Sequence, residues 1–213
     1  MDSFDRVIEQ SAVLGVVSVA LGMVLSPGPN MMYLVSRSAG QGRSAGIVSL
    51  AGVAAGFLVY LVAANLGLAV LFAAAPGLLT AIRIAGAAYL LWLAWRTLRP
   101  GGASVFTAGH VPPESPRRLF TMGLLTNLLN PKIAILYVSV IPQFIELDRG
   151  DVLLQGIALG GVQIAVALLV NLAIVLAAGG LAAFLSARPA WLRAQRLAMG
   201  SLLAVLAVTL AVT

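Results

Sequence analysis

The chain has 213 residues, of which 61% are hydrophobic and 9% charged, with a mean hydropathy of +1.03. A soluble domain of this size cannot bury so much apolar surface, and the apolar runs lack the alternation of a sheet, so composition excludes an ordinary globular fold and points to an all-α integral membrane protein. Net charge is +6, but the cations are scattered between apolar runs, which excludes a nucleic-acid-binding face. With no cysteine and a single histidine, His110 in a polar loop, disulfides, thiol chemistry and a Cys/His metal centre are excluded as well.

In chain order, Met1 to Gln10 carries Asp2, Asp5 and Glu9 against Arg6. A cleaved leader wants a basic start, so the first span is expected to be retained. Six apolar stretches follow, near 11–38, 44–72, 78–97, 119–145, 152–185 and 197–212. They form one transmembrane domain over 1–213: a first half at about 11–97, a loop at 98–118 and a second half at about 119–213. The first, second, fourth and fifth stretches exceed the ~20 residues of a straight span, so they must tilt, break or run past the membrane surface.

The connections set an orientation. Those after spans one, three and five hold Arg37, Arg43, Arg96, Arg99, Arg117, Arg118, Arg188, Arg193 and Arg196, with Glu114 as their acid. The other side carries Asp2, Asp5, Glu9, Glu146, Asp148 and Asp151, with Arg6, Arg149 and the span-edge Arg83. The positive-inside rule puts both termini outside the cytoplasm, and the partition supports six spans over five or seven.

The halves repeat. Gly22-Met-Val-Leu-Ser-Pro-Gly-Pro-Asn30 resembles Gly123-Leu-Leu-Thr-Asn-Leu-Leu-Asn-Pro131, and small-residue pairs follow in the next span of each half, Gly52 with Gly56 and Gly156 with Gly160. Small residues four apart let membrane helices approach closely. With three spans per half the repeat is inverted, a layout that places substrate sites at mid-membrane between discontinuous helices.

Each half opens on a helix broken by proline. Pro27 and Pro29 leave the carbonyls of Met23 and Leu25 without their helical donors, and Pro131 does the same to Asn127. Asn30 and Asn130 are placed to cap new helices, and Pro131 suits a first turn. Helix N-termini favour anions, and Lys132 adds a full positive charge, so a small carboxylate is the expected guest. Lys132 is the one cation far from either surface. Such charges mark function; the plainer role is a structural one, its ammonium on the carbonyls around Asn127. The expected binding residues are Ser26, Pro27, Gly28, Pro29, Asn30, Asn127, Asn130, Pro131 and Lys132. No catalytic residue, resident metal or cofactor is expected: no span holds an Asp, Glu, His or Cys, which disfavours an intramembrane enzyme and leaves a metal-ion transporter without ligands.

Other polar positions have structural readings. Asn65 and Asn171 are expected to bridge helices, whereas Asn127 and Gln163 are better placed for a pathway. Trp92 and Trp95, beside Arg96 and Arg99, read as an interfacial anchor, and Arg43 sets topology.

Ser26-Pro-Gly-Pro-Asn30, Gly40-Gln-Gly-Arg43-Ser-Ala-Gly46, Gly86-Ala-Ala-Tyr89-Leu-Leu-Trp92, Asn130-Pro-Lys132 and Pro142-Gln-Phe144 resemble, in order and over nearly the whole chain, the LysE/RhtB family of amino-acid exporters. The resemblance implies a secondary transporter of the bacterial inner membrane that takes amino acids or close derivatives out of the cytoplasm. Its nearer branch is the homoserine/threonine exporters. A resident cation suits a neutral amino acid better than a basic one, and Asn30 stands where many relatives would carry Asp. The expected partners are a small amino-acid substrate and the lipid bilayer, with self-association into a homo-oligomer left open. The alternatives are a transporter of metal ions or other small solutes, and a structural membrane protein that transports nothing.

Overall fold

A computed structural model describes residues 8–26, 28–74 and 112–186, together with single positions between 84 and 98 and between 197 and 208. Pro27, His110, Arg83 and most of the expected third and sixth spans lie outside the described residues; the single positions within those spans are helical. The described elements are all helical: α1 (Gln10–Leu25), α2 (Pro29–Gln41), α3 (Arg43–Ala74), α4 (Pro116–Leu128), α5 (Pro131–Ile135) and α6 (Val152–Ser186), with a π turn over Leu136–Val140 and 3-10 turns over Ile141–Phe144 and Leu147–Arg149. Helices α3 and α6 are each long and apolar enough to cross a bilayer. Two bent pairs bring the number to four when each counts as one span: α1 with α2, bent by 56°, and α4 with the helical run Lys132–Phe144, bent by 54°.

The breaks follow from local chemistry. Helix α1 stops where Ser26 turns extended (φ −71°, ψ 124°), and Gly28 stays extended before Pro29 opens α2. Helix α4 starts on a Ser115 cap followed by Pro116 and ends at Leu128; Asn130 then caps α5, its Oδ1 accepting from the Lys132 N–H at 3.1 Å, with Pro131 in the first position. Asn130 behaves as the sequence suggests, but Asn30 does not. The cap of α2 is Gly28, with no side-chain bond, and Asn30 is the second residue of the helix, buried. With Pro29 already at the first position, the Asn falls too late to reach back. Downstream of α5, Pro142 brings no N–H to the helix, and the chain there passes through a π turn, closed by Ile141 N–H on the Leu136 carbonyl, into a 3-10 turn.

The bundle is tightest between α3 and α4. A Cβ on Gly52 would stand 2.0 Å from the Phe120 carbonyl oxygen, and one on Gly123 would stand 2.2 Å from that of Ser49. Backbone therefore meets backbone, and Gly56 gives Asn127 its room in the same seam. Two tyrosines bolt the seam. Tyr60 donates to the Leu128 carbonyl at 2.7 Å, and Tyr33 on α2 donates to that of Leu119 at 2.7 Å while accepting from Ser49 at 3.1 Å. Helix α6 packs on α1, α2 and α3, with Gly156 against Asn65, whose Nδ2 donates to the Leu61 carbonyl of its own helix at 2.7 Å.

The two ends of the bundle differ in charge. At one end Gln41 and Glu114 exchange two hydrogen bonds, and Arg37 lies over the Tyr33 ring and donates at 3.2 Å to the carbonyl of Pro112, which precedes Arg117 and Arg118 in the chain. Arg37 is buried. It pins α2 to the segment before α4, a role its reading as a simple topology cation did not contain. At the other end Arg149 pairs with Glu146 at 2.5 Å and Glu9 at 3.9 Å, Gln155 ties down residues 146–150 through three hydrogen bonds, and Asp151 caps α6.

The hydrogen bond from Arg149 holds the Glu146 carboxyl below its usual pKa. A depressed carboxylate contributes stability that is fully present above its ordinary value and is lost as pH falls through the lowered one. Amide protection over 146–151, corrected for the intrinsic exchange rate at each pH, should therefore fall on acidification below the ordinary carboxylate range, and Glu146→Gln should remove that fall. In the seam, Gly123→Val should destabilise by about 1–3 kcal/mol, read as a lower unfolding temperature in detergent. Gly67→Ala, with nothing within 4 Å of the added carbon, should not lower it, since alanine is the better helix former.

Candidate functional site

The breaks meet in the core. The Lys132 side chain crosses from α5 to the end of α1 and donates to the carbonyls of Met23 at 2.6 Å and Ser26 at 2.8 Å. Met23 is the residue whose helical donor would have been the N–H that Pro27 lacks. The carbonyls around Asn127 do not hold the ammonium: the Asn130 N–H closes on the Asn127 carbonyl at 3.0 Å. The lysine of the second half thus satisfies the break of the first. Gly28 permits this, since a Cβ there would lie 3.0 Å from Nζ. Its φ of −162° is extended backbone open to any residue, so space and not conformation is what the glycine supplies. Two of the three ammonium N–H groups are engaged among the described residues.

Around this contact lies a cavity of about 20 Å³, room for about one water. Ser26, Gly28, Asn30, Asn130 and Lys132 line it, joined by Gln163 and Asn171 from α6. Its apolar wall includes Phe57 and Leu136. Four side-chain atoms on this lining are buried without a hydrogen-bond partner: Ser26 Oγ, Asn30 Oδ1, Asn130 Nδ2 and Asn171 Oδ1. Leaving a buried polar atom unmade costs about 1–3 kcal/mol, so four around one space signal a guest.

Of the expected residues, Ser26, Gly28, Asn30, Asn130 and Lys132 come together here. Pro29 is exposed, and Asn127 sits away from the lining, wedged against Gly56 with both amide atoms unpartnered. Gln163 is fixed by a hydrogen bond from Tyr137 at 2.7 Å, and that tyrosine stacks on Tyr60 with ring centres 5.7 Å apart. Asn171, expected to bridge helices, lines the cavity, and its Nδ2 donates to the Ala167 carbonyl of its own helix at 2.8 Å while its Oδ1 is buried without a partner. The sequence could not aim it, because α6 is apolar on every side.

Discontinuous helices crossing around a small polar cavity define a multi-span membrane protein of the translocator class. Residues 21–213 match the family of LysE type translocators, and the chain belongs to that family. Among curated proteins it is 31% identical to the homoserine/homoserine lactone efflux protein of Salmonella typhimurium, over 84% of this chain and 85% of the relative. It is 33% identical to the leucine efflux protein of Salmonella choleraesuis over 60% of both, and 33% identical to the uncharacterized membrane protein YrhP of Bacillus subtilis over 74% of this chain and 79% of the relative. No solved structure matches.

The contact between Gly28 and Lys132 gives a testable coupling. Gly28→Val should push the ammonium off its carbonyls and lower stability by about 1–3 kcal/mol in detergent unfolding. In a Lys132→Met background the same change should cost much less, because the contact is already gone. Additive losses would show that Gly28 acts elsewhere.

Proposed function

We propose that this protein exports small neutral amino acids from the bacterial cytoplasm as a secondary transporter, by alternating access. The observation that carries the reading is the set of unpartnered polar atoms around Lys132 where the two broken helices cross. The substrate carboxylate is bound by the free N–H of Lys132 and by the first backbone N–H groups of α2, at Asn30 and Met31, which have no helical acceptor. Basic substrates are disfavoured by the resident ammonium, since like charges repel strongly in a dry site. The efflux activities named for the relatives from Salmonella support this direction of transport.

The inverted repeat belongs to the same reading, supported by the matched sequence at the two breaks and their near-equal bends of 56° and 54°. The end that carries Arg37, Arg43, Arg117 and Arg118 faces the cytoplasm by the positive-inside rule. A cavity of about 20 Å³ is too small for any amino acid, so this is a closed state. Loading and release require the segments around the two breaks to part, first toward one face and then toward the other.

Preloaded vesicles containing the protein should release leucine, threonine or homoserine faster than empty vesicles, and lysine no faster. Lys132→Ala should reduce the rate at least tenfold with insertion unchanged. Wild-type-like efflux from that variant would sink the site, and the absence of efflux for every amino acid would sink the function.

A further inference from the structure

Resting on that reading, we infer that Asn171 on α6, together with Asn30, forms the subsite for the substrate's amino group, so that the site recognises an α-ammonium without any carboxylate.

The unpartnered atoms around the cavity are of two kinds. Asn130 Nδ2 is a donor and stands beside Lys132, whose ammonium is also a donor; Asn30 Oδ1 and Asn171 Oδ1 are acceptors. Ser26 Oγ serves either way. Donors suit a carboxylate and acceptors an ammonium, and an amino acid presents both on one carbon. The orientation of Asn171 is fixed by its own contact. Its Nδ2 donates to the Ala167 carbonyl, which leaves the oxygen as the unpartnered atom of this cavity-lining amide. The side chain is 2% exposed and that of Asn30 is 7% exposed, so neither acceptor is satisfied by bulk solvent. Gln163, the other amide from α6, is not equivalent, because its Oε1 already accepts from Tyr137.

The charges follow from this. The described lining holds one cation and no acid. A zwitterion keeps the site at a single positive charge, whereas a second cation on the substrate, or an ester in place of the carboxylate, removes the counter-charge for Lys132. The subsite therefore selects the free amino acid over its lactone or amide, and the amide oxygens of Asn171 and Asn30 distinguish it from an acid that lacks the amine.

Titration calorimetry on the purified protein, with L-leucine and L-homoserine each paired with its desamino counterpart, 4-methylpentanoate and 4-hydroxybutanoate, tests the assignment. In the wild type each amino acid should bind at least tenfold more tightly than its counterpart. Asn171→Ala should weaken both amino acids about tenfold and leave the desamino acids within twofold, collapsing the preference. Asn171→Ser, a smaller change that keeps a hydroxyl acceptor, should fall between the two and guards against a variant that does not fold. Equal losses for amino and desamino acids in both variants, or no loss at all, would overturn the subsite while leaving export intact. A wild type that binds none of the four compounds would overturn the export reading and the subsite with it.

Discussion

One ammonium group ties the two broken helices of this protein together. Lys132 reaches from the second broken helix to the carbonyls of Met23 and Ser26 at the first, and much of the core is arranged around that reach. Gly28 leaves room for it, Asn130 fixes the turn from which it starts, and Pro27 removes the N–H that would otherwise compete for Met23. Burying a cation in a membrane protein is expensive unless strong acceptors meet it. Here the acceptors are backbone groups exposed by a break that would itself be costly in lipid. Each defect satisfies the other.

The remaining polar groups sort by whether they are already used. Tyr33, Tyr60, Gln41 and Gln155 end in hydrogen bonds between segments and act as fasteners. Ser26, Asn30, Asn130 and Asn171 end in a space too small for more than a water. Polar groups that are free when a site is empty and engaged when it is loaded are what the proposed transport requires.

Much of this was legible in the sequence, and the reasons are local. Long apolar runs mark α3 and α6, and proline with asparagine marks each break, because these effects depend on a few neighbouring residues. The capping role of Asn130 follows from its place just before Pro131. The failures are failures of direction. Whether Asn30 caps or lies within the helix depends on where Pro29 falls, and the acceptors of Lys132 lie 109 and 106 residues away in the chain. Asn171 sits in a helix with no polar face to give its register, and Arg37 looks like any cation at a membrane edge until its partners at Pro112 and Tyr33 are seen.

The seam between α3 and α4 bears on how the chain is made. Gly52 and Gly56 present bare backbone toward residues that lie some seventy positions later, and Tyr60 bonds to Leu128. When α3 leaves the ribosome its principal neighbour has not been synthesised. Until α4 arrives, Gly52, Gly56 and Tyr60 lack the backbone partners that they meet in the finished bundle. The packing of α3 is therefore completed only by a helix made some seventy residues later.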